Sequence, residues 1–366
     1  MANEVFVHVG APLTGSAFVR ETLARHRRRL TRAGVLYPQN HLGHDAGHLD
    51  AVLDVLALAA TDRPASAGAW DRLAETARDW RRGTVVVSHE LLAEATTAQI
   101  ERMAGSLGNT ELHVVYAVRD LGRQLPLAWQ EWVDNGGTAP FARYAERVLA
   151  RDERGAARVF WHSHDPARVL GRWSGVVPPE RVHVVTVPQG GDRDAVVWRR
   201  FAETVGIDPL RFRAGEDRHR RLRPLATTEA LRQINVALGE EIPPERAAVL
   251  LGHLDPGSGP VPHVPQAAAG DLAREAGRIT GAIAAAGYDV VGDLADLHPE
   301  GGCLANEPRQ VEPSAEAVID VQSRALVGLA GLRGRARGPA GLRRRALREL
   351  SLRRPGRSGR RGPATP

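Results

Sequence analysis

The sequence predicts an α/β protein, a three-layer sandwich in which a mainly parallel sheet lies between helices. Four short runs rich in β-branched residues are apolar on both faces, which is typical of buried parallel strands. Helical patterns alternate with them, as in doubly wound folds. With 366 residues and 43% hydrophobic composition, the chain can bury one large core. The runs are Val5–Val9, Thr84–Ser88, Leu112–Val118 and Val182–Val187.

Helices are predicted between these strands and after the last of them. The first two predicted helices end at Gly34 and Gly83, residues that commonly terminate helices. The later ones are expected to pack on the same sheet, so a single domain is predicted over residues 1–304. The predicted helices are Ala17–Arg32, Ala69–Arg82, Asp194–Val205, Thr227–Leu238 and Ala267–Ala286.

Residues 305–366 are predicted to form a separate low-complexity tail, disordered in isolation. From Val321 to Pro366 the tail holds thirteen arginines and one acidic residue, a charge of +12, whereas the whole chain carries +6. The rest of the chain is therefore mildly acidic, and the basic character belongs to the tail. The tail could contact anionic surfaces electrostatically, but no specific nucleic-acid binding is predicted.

Composition also excludes several classes of protein. The one cysteine, Cys303, rules out an internal disulfide framework and a multi-cysteine zinc site. No signal peptide is expected at the first residues, and the most apolar stretch, Leu49–Ala60, is short and interrupted by acids. We therefore expect a cytoplasmic protein.

The segment that follows the first predicted strand, VGAPLTGSAF, has the arrangement of an anion-binding loop. A turn begun at Gly10 and a helix entered at Gly15 or Ser16 would direct unpaired backbone N–H groups toward one point. The G-x4-G spacing resembles a nucleotide triphosphatase loop, but Ser16 and Ala17 stand where Lys and Ser/Thr should follow, which disfavours an ATPase or a kinase. A glycine-rich turn without a ligand is the structural alternative.

This loop resembles that of the sulfotransferase family, whose pattern is roughly H-x-G-x-P-K-T-G-T-T. The match covers His8, Gly10, Pro12, Thr14, Gly15 and Ser16, while Leu13 occupies the lysine position. The resemblance implies a P-loop nucleotide-binding fold with 3′-phosphoadenosine 5′-phosphosulfate (PAPS) as donor and no metal. It assigns the loop residues to the 5′-phosphosulfate, namely Gly10, Pro12, Leu13, Thr14, Gly15, Ser16 and Ala17. Arg20 is a candidate to replace the missing lysine charge.

A second motif begins at Arg119, where the third long predicted strand ends. The carboxyl ends of such strands are where ligands bind in open α/β sheets. In the sulfotransferase family a strand-end Arg, followed eight residues later by Ser, holds the 3′-phosphate of the cofactor. Arg119 matches, Leu127 occupies the serine position, and Arg123 could compensate. The alternative is that Arg119 and Asp120 only cap and pair at the helix start.

Further segments resemble the actinobacterial branch of sulfotransferase-like proteins over roughly residues 3–300. They are GVLYP at 34–38, VVVSHELL at 85–92, RVHVVTVP at 181–188, WRRF at 198–201 and GYDVVGDL at 287–294.

Transfer of a sulfuryl group requires a base that removes the acceptor's proton. Ser88-His89-Glu90 ends a predicted central strand, in the region where the family resemblance implies a catalytic His or Glu. Because side chains alternate, His89 and Glu90 should not both face the cofactor, and Glu90 is preferred. Either residue could instead cap the next helix.

The other candidate residues give weaker indications of a functional site. The histidines His41, His44 and His48 have no supporting carboxylate motif, so no zinc site is predicted there. They could instead line an acceptor pocket or lie on a polar helix surface. The basic cluster Arg218–Arg223 is a further phosphate candidate or a solvated run. The aromatic residues are expected in the core: Trp129, Trp132, Phe160, Trp161, Trp173 and Trp198.

Two functions remain open from the sequence. The first is PAPS-dependent transfer of a sulfuryl group to a hydroxyl or amine of a small-molecule, carbohydrate or lipid acceptor. The second is a catalytically degenerate protein of the same fold with a binding role only, since Leu13 and Leu127 replace two diagnostic side chains. A preorganised cation at a developing charge contributes about 3 kcal/mol to catalysis, so the loss of the lysine matters.

Overall fold

A parallel sheet of six strands organises the protein, in the order β2-β3-β1-β4-β5-β6. The computed structural model describes residues 4–38, 46–58, 67–190, 192–215, 222–239 and 259–337. Every strand pair in the sheet is parallel, which confirms the predicted sheet type. The strands are β1 (Glu4–His8), β2 (Val35–Leu36), β3 (Thr84–Ser88), β4 (Glu111–Val118), β5 (Val182–Thr186) and β6 (Asp289–Val291).

The four long strands are those predicted from apolar runs, with ends that differ by one residue. The two edge strands, β2 and β6, were not predicted as strands. They contain only two and three residues, too few for a periodic pattern to appear. Their pairing depends on a neighbouring strand rather than on their own composition.

The described helices lie before, between and after these strands. Predicted helix ends agree within about two residues, except that the helix predicted to reach Arg82 ends at Asp79, where Trp80 becomes extended. The helices are α1 (Ser16–Arg32), α2 (Ala46–Val55), α3 (Ala69–Asp79), α4 (Thr97–Leu107), α5 (Leu121–Asp134), α6 (Phe141–Leu149), α7 (Gly155–His164), α8 (Pro166–Trp173), α9 (Arg193–Thr204), α10 (Leu225–Leu238), α11 (Ala269–Ala285) and α12 (Ala315–Arg337).

Two hydrophobic cores flank the sheet, because successive strand residues point to opposite faces. Val5 and Val7 belong to the larger core, together with α5 and α8 residues such as Trp129 and Trp173. Phe6 belongs to the smaller core, which α1 and α9 cover. Helices therefore pack on both faces of the sheet, and the predicted three-layer arrangement is confirmed.

The direction in which the chain adds successive strands to the sheet reverses at β1. The chain leaves β1 toward β2 and β3 on one side, and β4 then pairs with the other side of β1. At such a point the connections after neighbouring strands diverge and leave a crevice at their carboxyl ends. The loop that follows β1 opens into this crevice.

Helix α12 lies within the residues that composition assigned to the tail. Val318, Val321 and Ala325 are buried in the larger core, whereas Ile319 is 59% exposed, and the helix packs against α10. Arginine-rich composition further along obscured this short apolar stripe. Residues 338–366, which carry most of the tail charge, lie outside the described residues, and the division of the chain at residue 304 stays a prediction.

None of the helices in the described ranges combines the length and the apolarity needed to cross a membrane.

The packing of α12 yields a stability prediction. Val321→Asp places a carboxylate in the core and is expected to lower the free energy of unfolding by about 3 kcal/mol. Ile319→Asp, two residues away on the exposed side, is the matched control and should change it by less than about 0.5 kcal/mol. Equal effects in chemical denaturation of the two variants would contradict the docking of this helix.

Candidate functional site

A cavity of about 1460 Å³ opens at the carboxyl ends of β1, β3 and β4. The loop after β1, the turn after β3 and the start of α5 after β4 each contribute to its wall. Most of the predicted cofactor-binding residues line it. They are Pro12, Leu13, Gly15, Ser16, Ala17, Arg119 and Leu127, joined by the proposed base Glu90.

The loop that follows β1 is fixed by hydrogen bonds to β4 and within itself. The N–H groups of Val9 and Ala11 donate to the carbonyls of Val115 and Ala117, at 2.9 and 2.8 Å. Thr14 Oγ1 and Ser16 Oγ then both donate to the Ala11 carbonyl, at 2.6 and 3.2 Å. The hydroxyls of the loop are thus used to shape it rather than to face a ligand.

Positive φ angles give the loop its curvature. Gly10 has φ 114° and Gly15, the residue before α1, has φ 103°, values that favour glycine. A Cβ at Gly10 would lie 3.2 Å from the nitrogen of Pro12. Leu13 also has a positive φ, 63°, which is unfavourable for a leucine and is held by the surrounding hydrogen bonds.

Backbone N–H groups of the loop are available to a ligand. Within the described ranges, the N–H groups of Leu13, Thr14, Gly15, Ser16 and Ala17 find no hydrogen-bond acceptor. Ser16 and Ala17 are also the first residues of α1, where the helix dipole favours negative charge. The Leu13 side chain packs partly against the larger core and also lines the cavity. The loop therefore has the geometry of an anion-binding site.

Arg119 supplies a second anion-binding feature in the same cavity. It follows β4 directly, its Nε is buried, and that atom has no hydrogen-bond partner in the described structure. Burial, together with the charge of Arg193, lowers the pKa of Arg119 to about 10, so the guanidinium remains protonated at neutral pH. A buried cation without a bonded counter-ion is costly, and a bound anion would offset that cost.

Asp120 and Arg123 form the cap that the alternative interpretation of this motif predicted. Asp120 Oδ1 accepts the N–H of Arg123 at 3.0 Å, and its Oδ2 accepts from the Arg123 guanidinium at 3.2 Å. Arg123 also donates to Gln189 Oε1 at 2.6 Å. The capping role thus belongs to Asp120 and Arg123, while Arg119 remains available. Leu127 lies one turn further along α5 and presents an apolar surface to the cavity.

Glu90 and His89 have different roles, because Glu90 lines the cavity whereas the His89 side chain caps the 3-10 helix Glu90–Glu94, as the alternative interpretation allowed. Glu90 lines the cavity and pairs with Arg20 of α1 through its Oε2. His89 accepts the N–H of Leu91 on Nδ1 at 3.2 Å, and burial lowers its pKa to about 4. Glu90 is therefore the carboxylate positioned beside the loop, and Arg20 orients it instead of replacing the loop lysine.

His48 has a structural role in this region. Its Nε2 hydrogen-bonds to the carbonyl of Pro38 at 3.0 Å, and its Nδ1 accepts the N–H of Ser88 at 3.1 Å. Ser88 Oγ is in turn 2.8 Å from His8 Nδ1. Because both nitrogens are used and the ring is buried, His48 is neither a surface residue nor a residue free to bind an acceptor, so both alternatives left open by the sequence are wrong for it. His41 and His44 lie outside the described residues.

The remaining candidates are mostly structural. Arg223 donates to Asp134 Oδ1 at 2.5 Å and to the Gln130 carbonyl at 3.4 Å, while residues 218–221 of the basic cluster lie outside the described ranges. Five of the six named aromatic residues are buried in the two cores as expected, with at most 3% exposure, and Trp132 is partly buried. Trp198 also contributes to the cavity wall.

Two residues at the site were not singled out from the sequence. Arg193, the first residue of α9, lines the cavity beside Arg119. Its place in a polar run after the last long predicted strand could have indicated a position at the site. Gln124 of α5 donates to the Pro12 carbonyl at 3.0 Å and so ties the loop to the helix that carries Leu127. No local sequence pattern predicts a hydrogen bond between two residues so distant in sequence.

No protein-family model matches the chain, and no curated protein matches it significantly. Two solved structures are similar to it. The first is a sulfotransferase from Alicyclobacillus acidocaldarius, with TM-score 0.37, 17% identity and coverage of 63% of this chain and 92% of that one. The second is the sulfotransferase domain from the curacin biosynthetic pathway, with TM-score 0.32, 15% identity and coverage of 59% and 79%. Likenesses at this level assign neither a family nor an activity, so the proposal below rests on the site.

Proposed function

We propose that this protein binds PAPS and transfers its sulfuryl group to a hydroxyl or amine acceptor. The observation that carries the proposal is the pairing, in one cavity, of unbonded loop N–H groups with a buried arginine that lacks a partner in the described structure. PAPS carries anionic groups at both its 5′ and 3′ positions, so it needs two separate anion sites. The loop and Arg119 provide two such sites.

The residues present fit this donor. The N–H groups from Leu13 to Ala17 suit the 5′-phosphosulfate, because backbone donors at a helix start stabilise phosphate-like groups without a side-chain cation. Arg119 suits the 3′-phosphate, and Arg193 beside it adds positive charge. When bound, the donor supplies the activated sulfuryl group, and the chemistry needs no divalent metal.

Glu90 is the residue assigned to proton removal. Its Oε2 is held by Arg20, whereas no hydrogen bond to its Oε1 is found within the described ranges. Oε1 can therefore accept the proton of an acceptor hydroxyl or amine that enters the cavity. The nearby ring of His89 is neutral, with its Nδ1 already engaged, and is the weaker candidate.

Leu13 and Leu127 favour the second candidate, a protein that binds the nucleotide without catalysis. Both line the cavity where the family resemblance implies a lysine and a serine. Loss of the lysine removes a preorganised charge but leaves the backbone donors intact, so the two candidates share nucleotide binding and differ in turnover.

Nucleotide binding is tested with the desulfated cofactor, adenosine 3′,5′-bisphosphate. Arg119→Ala removes one charge-assisted contact, worth about 1.5–3 kcal/mol, and should weaken binding by about 10–100-fold in calorimetric titration. Arg143→Ala, at an exposed position on α6, is the control and should bind as the native chain does. Absence of binding by the native chain would refute both candidate functions.

The role of Glu90 is tested in the transfer reaction with labelled donor and a panel of acceptors. Glu90→Gln removes the base and should lower kcat by about 100-fold or more, with little change in donor affinity. Glu94→Gln, an exposed position on the short 3-10 helix Glu90–Glu94 that follows β3, should keep native kcat. Native turnover by Glu90→Gln would remove Glu90 from the mechanism.

Leu13→Lys separates an enzyme from a binding protein. If the native chain is a weak sulfotransferase, the restored cation should raise kcat by about 100-fold, because charge at the leaving phosphate is then stabilised. Leu13→Met, of similar length and without charge, should leave kcat unchanged. If Leu13→Lys and the native chain both bind the nucleotide but neither transfers sulfate, the binding-only candidate holds.

A further inference from the structure

A group of metal-ligating side chains lies at the amino end of the sheet, opposite the cavity. Glu4 begins β1, Glu111 begins β4, and His113 is two residues further along β4. One ligand atom from each lies within 4.8 Å of the other two. The register of the sheet explains this meeting, because Glu4 is paired with Glu111 and Phe6 with His113.

A chain of hydrogen bonds fixes the orientation and protonation of His113. His113 Nδ1 lies 2.9 Å from His183 Nε2, and His183 Nδ1 lies 2.7 Å from Asp289 Oδ2. An ionised carboxylate can only accept, so His183 donates to Asp289 from Nδ1, and a neutral His183 ring accepts on Nε2. His113 then donates from Nδ1, and its Nε2 carries the lone pair. The assignment follows from the bonding network.

The Nε2 atom of His113 has no partner. It is buried, and no hydrogen-bond donor reaches it within the described ranges. Phe6 stacks on the ring, with centroids 4.4 Å apart and an angle of 24°, which holds the ring in place. A buried acceptor beside two carboxylates is unfavourable unless a cation or a proton joins them.

The charge around His113 is net negative. Glu111 Oε1 accepts from the Arg181 guanidinium at 2.6 Å, which leaves its second oxygen for another partner. Glu4 is exposed and has no ion pair within the described ranges. Two carboxylates against one arginine leave one negative charge, which attracts a divalent cation.

The chemistry of the three ligands selects among divalent ions. Mg²⁺ and Ca²⁺ prefer sites composed of oxygen ligands alone, whereas one imidazole with two carboxylates suits Zn²⁺. A metal-bound histidine commonly donates its other ring N–H toward a carboxylate, which fixes the tautomer and makes the ligand more basic. Here the ring N–H of His113 is bonded to His183, which is in turn bonded to the carboxylate of Asp289.

We propose that Glu4, Glu111 and His113 bind a Zn²⁺ ion that joins the amino ends of β1 and β4, with the fourth position left to solvent. Binding draws the three ligand atoms closer together, and the exposed side chain of Glu4 can move to allow this. No sequence motif indicates this site, because Glu4 lies far in sequence from Glu111 and His113. The proposal does not depend on the proposed sulfotransferase activity.

The test uses the untagged full chain, stripped with a chelator and dialysed against ZnCl₂, with bound zinc measured by mass spectrometry. The native chain should retain about one equivalent of zinc, as expected for a single site with three protein ligands. Glu4→Gln and His113→Gln should each lose most of it, while His298→Gln, at an exposed position, should retain it. Zinc should also raise the native Tm by about 3 °C or more, but not that of Glu4→Gln.

Several results would overturn the proposal. One is a native chain that retains no zinc; another is a Glu4→Gln or His113→Gln variant that retains as much as His298→Gln. An equal Tm increase with MgCl₂ would assign the site to a different class of ion. If His113→Gln fails to fold, Glu4→Gln decides the question alone, because its side chain is exposed in the folded chain.

Discussion

The site depends on backbone donors that the fold leaves without acceptors. Three backbone hydrogen bonds to β4 hold the loop after β1, and the hydroxyls of Thr14 and Ser16 bond to the Ala11 carbonyl. The N–H groups from Leu13 to Ala17 have no acceptor within the described ranges, and Ser16 and Ala17 lie at the positive end of α1. Such donors are preorganised by the sheet and need no reorganisation when an anion arrives.

The charges in the cavity differ from those of the family pattern that the loop resembles. The loop has lost its cation at Leu13, and Arg20 does not restore it, because Arg20 is paired with Glu90. Positive charge lies instead at Arg119, whose Nε has no hydrogen-bond partner within the described ranges and whose burial lowers its pKa to about 10. An anionic ligand can therefore bind even though the loop lacks a cation that would stabilise a leaving group. For this reason, nucleotide binding and turnover are separate questions for this chain.

Much of the architecture could be predicted from apolar patterns. Val5–Val9 and Leu112–Val118 are apolar on both faces, and they became adjacent central strands. Because parallel strands place their carboxyl ends together, the loop and Arg119 could be expected to share a cavity. The sequence also predicted that only one of His89 and Glu90 would face the cavity, and Glu90 is the one that lines it.

Contacts that join distant parts of the chain could not be predicted. These contacts depend on which strands become neighbours. They are the hydrogen bond from Gln124 to the Pro12 carbonyl, the two hydrogen bonds of the buried His48 ring and the hydrogen-bonded chain His113–His183–Asp289. Helix α12 was missed because three buried residues, Val318, Val321 and Ala325, lie beside an arginine-rich sequence that dominates the composition.

The claim that loop amides bind an anion without a loop cation is tested most directly by amide NMR. Adenosine 3′,5′-bisphosphate added to ¹⁵N-labelled protein should shift the N–H resonances of Gly15, Ser16 and Ala17 strongly downfield, as expected when these groups donate to phosphate oxygens. Saturable binding that leaves these three resonances unmoved would place the ligand elsewhere and contradict the account.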